Sequence, residues 1–306
     1  MTKNVLLTGA SGFLGKHIYE FLLKNYTIVE TLGRHNSDNI KHDFQGNEAL
    51  NLKYYNLVVH SAGKAHVVPR NESEAEKFYK INLEGTETLL KALEANPPDS
   101  FVFISTIAVY GLDLGQEIDE DCPLNAVEPY GDSKVKAERA VINWCNQHNC
   151  KYGILRLPLV AGLNPPGNLG AMINGIRSGR YFRIGAGKAK KSMVLADDVA
   201  SIIPHLAATG GVYNLTDGHH PSFKELETVL EKRLETKVKV LPFVAAKILA
   251  YVGDAINFIL RKRAFPLDSR AFGKITSTLT LNDTRARKQL GWRPKSTLEF
   301  IDKNIR

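Results

Sequence analysis

Cysteine is scarce: Cys122, Cys145 and Cys150 are the three in 306 residues. Their spacing matches no metal-ligand pattern and an odd count gives no disulfide framework, so a reducing cytoplasm is the expected compartment. Long hydrophobic runs are scarce too. The stretch FVAAKILAYVGDAINFIL (243–260), followed by RKR, is broken by Lys247, Asp254 and Asn257 and is short for a membrane span. It reads as a packed helix, ahead of an interfacial one, and membrane association is not expected. No secretory leader is expected either, because MTKNVLLTGASG runs straight into a strand-like segment. Basic residues interleaved with aromatics are also missing. The net charge of +8 is dispersed, which argues against nucleic acid and suits a cleft that attracts the phosphates of small ligands.

What is present is an ordinary globular composition, 43% hydrophobic and 24% charged, enough to bury a sizeable core. NVLLTG (4–9), YTIVETL (26–32), NLVVHSA (56–62), SFVFIST (100–106) and YGILRLP (152–158) read as buried strands. Amphipathic stretches at 13–24, 73–95 and 132–148 lie between them. The alternation predicts an α/β fold, a Rossmann-type doubly wound parallel sheet with ligands at the carboxyl ends of its strands. After Pro158 the rhythm changes and NPPGNLG (164–170) forms a turn-rich loop. Residues 1–160 are therefore expected to form the dinucleotide-binding domain, and 161–306 mainly a smaller, partly discontinuous substrate domain. VYNLTD (212–217), within the span 190–217, is expected to return a strand to the main sheet.

TGASGFLG (8–15) sits between the first strand and the first helix, with Gly9, Gly12 and Gly15 spaced G-x-x-G-x-x-G. Glycines there allow a tight turn, backbone approach to a pyrophosphate and close helix–strand packing, while the helix N-terminus offers free N–H donors. Ser11, Phe13 and Leu14 belong to the same loop. The acid that usually binds the adenosine ribose is missing from the end of YTIVETL, since Glu30 lies inside the strand and Gly33, Arg34 and His35 follow. Arg34 could pair with a 2′-phosphate, so NADP(H) is favoured over NAD(H). Asp43 and Phe44, in KHDFQG, are expected near the adenine. No metal is expected.

YGDSK (130–134) places Tyr130 and Lys134 on one face at the start of a helix. An ammonium beside a phenol favours phenolate and suits proton exchange with a sugar hydroxyl. STIAVYG (105–111) puts Thr106 at the sheet's carboxyl edge, where its hydroxyl can bond the reacting oxygen.

TGASGFLG, HSAGKAH (60–66), STIAVYG and PYGDSK, in this order, resemble the extended short-chain dehydrogenase/reductase family, in its NAD(P)-dependent nucleotide-sugar epimerase/dehydratase group. The likeness continues through GNLGAMINGI (167–176), KKSMVLADDVA (190–200) and LNDTRARKQLGWRP (281–294). The resemblance implies Tyr130 as proton-transfer residue, Lys134 on the nicotinamide ribose and Thr106 on the reacting oxygen. It implies that Ser105, Ala62, Gly63, Lys64, Pro158 and Val160 line the cofactor. Asn82 matches a family asparagine with a structural rather than catalytic role. Asn168 matches the position that meets a substrate diphosphate, and Lys191 falls where the family has an arginine on that group. The implied ligand is a nucleotide-diphosphate sugar, UDP-linked, and a homodimer through long paired helices is compatible with it.

The departures select among activities. Dehydratases of the group resemble Thr-Asp-Glu where this chain has Thr106, Ile107 and Ala108, and neither apolar residue can move a proton. Epimerases of its GDP-sugar branch carry a cysteine at the place of Ile107. Redox at one sugar carbon, C4, remains. The Gly33–Arg34 loop favours net reduction of a 4-keto sugar by NADPH; the alternative is a 4-epimerase holding NAD tightly. A ketone or hydroxysteroid-type reductase stands further back, as does a cofactor sensor without catalysis.

Overall fold

The computed structural model describes residues 3–305 apart from 45–49, 66–68, 70, 261–264 and 266; His66 and the RKR run lie outside the described residues. Strand β1 (Asn4–Thr8) leads into helix α1 (Phe13–Asn25), and β2 (Ile28–Gly33) and the two-residue β3 (Ile40–Lys41) complete one edge of a sheet. β4 (Leu57–His60) follows on the other side of β1. The amphipathic stretch 73–95 is not one uniform helix. It consists of α2 (Glu72–Phe78), a wider π-helical segment (Tyr79–Glu84) and α3 (Gly85–Ala92). The π segment carries Asn82, which is buried and bonded to the chain after β4, so the extra residue per turn has a structural cause.

β5 (Ser100–Thr106) is buried along its whole length and passes into one 3-10 turn (Ile107–Tyr110). Short β6 (Gly115–Ile118) precedes α4 (Pro129–Gln147), a long helix opened by proline, whose missing N–H costs nothing there. β7 (Lys151–Leu157), β8 (Leu159–Ala161), α5 (Gly167–Arg177), β9 (Phe182–Ile184) and β10 (Met193–Leu195) follow. α6 (Ala196–Thr209) then leads to β11 (Gly211–Asn214). The remainder comprises α7 (Phe223–Leu234), β12 (Lys239–Leu241), α8 (Phe243–Ile259), α9 (Ser269–Thr276), β13 (Leu279–Leu281), α10 (Thr284–Leu290) and α11 (Thr297–Asn304).

Seven strands pair in parallel in the order β11-β7-β5-β4-β1-β2-β3, the doubly wound α/β arrangement expected from the sequence. Alternate strand residues serve opposite faces. Val5, Leu7, Val59, Val102 and Leu155 pack against α1 and α6, while Leu6, Val58, Phe101, Phe103 and Ile154 pack against α3 and α4. The order reverses between β1 and β4, the place where such sheets open a crevice for ligand.

A separate cluster built from α5, β10, α7 and α11 includes Met172, Ile173, Met193, Leu226, Leu230 and Ile301. The end of the chain also returns to earlier elements. β13 pairs with β6, and Trp292 Nε1 donates to Thr216 O at 2.9 Å.

Candidate functional site

The glycine loop stands at the crevice. A Cβ on Gly15 would lie 1.9 Å from Gly9 O, and one on Gly9 would lie 2.6 Å from Ala62 N, so both positions must stay bare for loop, helix and β4 to meet. Gly12 and Ser11 remain exposed above them. Gly12 is the N-cap of α1 and contributes no side chain, and the first turn carries no acidic residue. Gly12 N donates to Gly9 O at 3.0 Å. With no capping side chain and no acid in the first turn, the positive end of the α1 dipole is left uncompensated, which suits a pyrophosphate. The Phe13 ring lies 5.3 Å from that of His17 and against Gly162.

Behind the loop, hydrogen bonds admit one assignment. Thr86 Oγ1 donates to Asn82 O at 2.7 Å, so its oxygen accepts from His60 Nε2 at 3.0 Å. His60 Nδ1 must then accept from Thr8 Oγ1 at 2.6 Å, and Thr8 Oγ1 in turn accepts from Ala62 N at 3.2 Å. The chain needs a neutral imidazole. Burial, helped by the Lys134 ammonium, pushes the His60 pKa down to about 3. Asn82 continues the network: Lys64 N donates to its Oδ1 at 2.7 Å, and its Nδ2 donates to Lys64 O and to Ser133 Oγ, each at 3.1 Å. The segment carrying Ala62, Gly63 and Lys64 is thus fixed from both sides.

Thr106 ends β5 and Tyr130 begins α4. Thr106 Oγ1 accepts from Ala108 N at 3.3 Å, which leaves its own proton to favour the phenolate of Tyr130. Burial raises the Tyr130 pKa and the Thr106 hydroxyl opposes that rise. Lys134, one turn on, is buried; its Nζ donates to Ile104 O at 2.7 Å and lies 4.1 Å from the Phe103 ring centroid. Burial pushes its pKa down to about 8, against the pull of the Glu138 carboxylate. The group that eases Tyr130 in this geometry is therefore Thr106, with Lys134 held toward β5. Ser105 bonds the Glu138 carboxylate rather than facing the crevice.

Around the adenosine end, the structure differs from the sequence reading. The Glu30 carboxylate is occupied, accepting from Lys53 Nζ at 2.8 Å and Tyr55 Oη at 2.6 Å. The turn after β2 brings a carboxylate to the strand's end: Asp38 Oδ2 accepts from His35 N at 2.9 Å and stands 2.6 Å from where a Cβ on Gly33 would be. Only local turn chemistry, an Asp placed to bond backbone three residues back, could have signalled it. Arg34 is exposed and makes no side-chain bond among the described residues. Asp43 is exposed just beyond β3, whereas Phe44 packs on Gly85 and the edge of His60. Pro158 and Val160, on either side of Leu159, are partly exposed where the chain passes from β7 into β8.

On the other side, Asn168 is exposed in the first turn of α5. Lys191 is bridged to Leu279 and shares its surroundings with Asp113 and Lys274, which pair at 3.5 Å. Burial pushes the Lys191 pKa down to about 8, opposed by Asp113 and assisted by Lys274. Asp113 and Lys274 were not legible in the sequence as parts of this cluster. No group of three metal-ligating side chains occurs among the described residues.

A family model described as "NAD dependent epimerase/dehydratase family" matches residues 5–216. The chain is 27% identical over 319 residues to the N-acetyl-alpha-D-glucosaminyl-diphospho-ditrans,octacis-undecaprenol 4-epimerase of Escherichia coli O157:H7, spanning 100% of this chain and 95% of that one. It is 31% identical over 327 residues to the sterol-4-alpha-carboxylate 3-dehydrogenase, decarboxylating, of Dictyostelium discoideum, spanning 96% and 97%. Among solved structures it resembles the UDP-glucose 4-epimerase of Thermotoga maritima with UDP-glucose, at a TM-score of 0.77 and 22% identity over 98% and 96% of the two chains. Other solved chains of this fold are complexes with NAD or with NADPH.

Proposed function

The chain belongs to the NAD-dependent epimerase/dehydratase family, and from that premise we propose that it is a nucleotide-sugar 4-epimerase that retains NAD. The observation that carries the reading is Asp38. A carboxylate beside Gly33 at the end of β2 accepts ribose hydroxyls and repels a 2′-phosphate. The sequence taken alone favours NADPH and net reduction; the place of Asp38 turns that balance toward NAD and internal redox. The two 4-epimerases it resembles over nearly their whole length lend support.

The residues divide the work as follows. The α1 N-terminus and Gly12 hold the pyrophosphate, Asp38 the adenosine ribose, and Lys134 the nicotinamide ribose. NAD, when bound, supplies a reversible hydride acceptor. Thr106 bonds the C4 oxygen while Tyr130 takes its proton and later returns it. Tyr130, whose pKa is raised by burial, would hold its phenolate more readily beside a positively charged nicotinamide. Lys191, with Lys274 nearby, and Asn168 receive the diphosphate; a lysine offers it charge without the guanidinium's fork.

The test is mass identification of any dinucleotide released on denaturing the purified protein, together with incubation of UDP-hexoses and UDP-N-acetylhexosamines without added reductant. NAD in the released fraction and formation of the 4-epimer support the reading. An empty site, with turnover only when NADPH and a 4-keto sugar are supplied, transfers it to the 4-reductase, which the free, exposed Arg34 favours. Conversion of a sterol-like alcohol with no response to UDP-sugars would reject both.

A further inference from the structure

The helix α8 (Phe243–Ile259) is turned inside out relative to a surface helix. Its buried positions are Ala246, Ala250 and Gly253, spaced as one helical face. That face lies so close to the following segment that a Cβ on Gly253 would stand 2.2 Å from Leu267 O. Asn257 exchanges hydrogen bonds with the Phe265 backbone, and Asp254 accepts from Ser269 N at 3.0 Å, so these two polar side chains are used inward. The large apolar residues point out. Val244 is 68% exposed, Ile248 58%, Tyr251 58%, Phe258 84% and Ile259 75%. On β9, whose Phe182 pairs with Lys239 of β12, the Phe182 ring is also about half exposed.

The sequence reading expects a packed helix without membrane contact. The structure packs the small residues and leaves the large ones bare. Scattered exposed apolar residues are ordinary, but a contiguous face of this kind marks a binding surface. Charge identifies what covers it. Exposed Lys247 on the helix and Lys239 beside Phe182 make no ion pair among the described residues, and the one acidic residue of α8, Asp254, is turned inward. A second copy of the chain would bring like charge against like, on a protein already at +8. An anionic bilayer surface answers both the apolar area and the free ammonium groups. No helix among the described residues is long and apolar enough to cross a membrane.

We propose that the outer face of α8 docks on an anionic lipid surface, inserting Val244, Ile248, Tyr251 and Phe258 at the headgroup boundary. The placement has a functional side. Phe243 contacts Phe272 of α9 at 5.1 Å between ring centroids, and α9 carries Lys274 to the Lys191–Asp113 cluster. A docked α8 therefore holds the Lys191–Asp113–Lys274 cluster, the diphosphate end on the proposed reading of the site, beside the membrane.

The test is co-sedimentation of the full chain with phosphatidylcholine vesicles and with vesicles containing phosphatidylglycerol. The bound fraction is expected to rise with phosphatidylglycerol, to fall with salt, and to drop by about tenfold in the double variant Val244→Glu/Ile248→Glu. Lys247→Glu should reduce the anionic preference. Ile248→Trp gives a second reading, a blue shift of indole emission on adding the anionic vesicles. No sedimentation together with an unshifted indole overturns the proposal. So does a dimer in sedimentation velocity that the double variant converts to monomer while vesicles have no effect, because the face would then join two copies.

Discussion

Arg156 Nη2, from β7, holds the Glu138 carboxylate of α4 at 2.8 Å, with both side chains almost wholly buried. The same carboxylate receives Ser105 and lies one turn beyond Lys134, whose positive charge it supports. Arg156→Met would leave it buried without its cation, and the expected loss of stability in urea unfolding is about 3–5 kcal/mol. Glu138→Gln should shift the basic limb of kcat/KM, where Lys134 loses its proton near its pKa of about 8, toward lower pH. An unmoved limb would confine Glu138 to a structural role.

If Tyr130 carries the proton as proposed, Tyr130→Phe removes the carrier and leaves the glycine loop untouched. Turnover should fall by about 10²–10⁴-fold while NAD binding by calorimetry stays near wild type. Thr106→Val should raise the Tyr130 pKa further, since Thr106 is the group opposing its rise, and the pH at which activity appears should move up. Full activity in the phenylalanine variant would remove Tyr130 from the mechanism.

Asp38→Ala should relax cofactor choice. Removing the carboxylate beside Gly33 opens space and lifts a repulsion, and Arg34 remains free to meet a 2′-phosphate. The ratio of NADP to NAD affinity is expected to rise by about tenfold, an interaction of roughly 1.4 kcal/mol. Arg34→Ala in the same background should reverse the gain. Equal losses for both dinucleotides would mean that neither residue reads the ribose.

His60 makes stability fall on the acid side. Its folded pKa of about 3 lies below its ordinary value of 6.5, so the unfolded chain binds more protons between those values. The contribution is complete above pH 6.5 and is lost, at about 1.4 kcal/mol per pH unit, as pH falls toward 3. Urea midpoints from pH 7 to pH 4.5 should show that slope, and His60→Gln should flatten it.

The sheet was legible because each buried strand announces itself locally, by apolar runs between amphipathic stretches. The glycine loop and the start of α4 were legible for the same reason. Asp38 was not, because it reaches Gly33 through a turn whose shape no periodicity encodes. The pairing of Arg156 with Glu138 joins β7 to α4, and the meeting of Lys274 with Asp113 joins segments far apart in the chain. The π-helical segment at Tyr79–Glu84 was hidden in an ordinary amphipathic pattern, since its cause lies in what Asn82 touches. Which face of α8 packs was not legible, because hydrophobic content alone does not say which side turns inward; the small residues Ala246, Ala250 and Gly253 do.

The pairing of β13 with β6 bears on how the protein is made. Glu117 N donates to Thr280 Oγ1 across 163 residues of sequence, and Trp292 ties back to Thr216. Synthesis proceeds from the amino end at roughly 5–20 residues per second, so β6 waits many seconds for β13, its one strand partner among the described residues. During that interval the glycine loop and the β1–β5 strands can already pair, while the edge at β6 stays open. Nascent chains arrested before Leu279 should thus bind dinucleotide yet remain prey to proteases near residues 112–120, and release of the last segment should close that window.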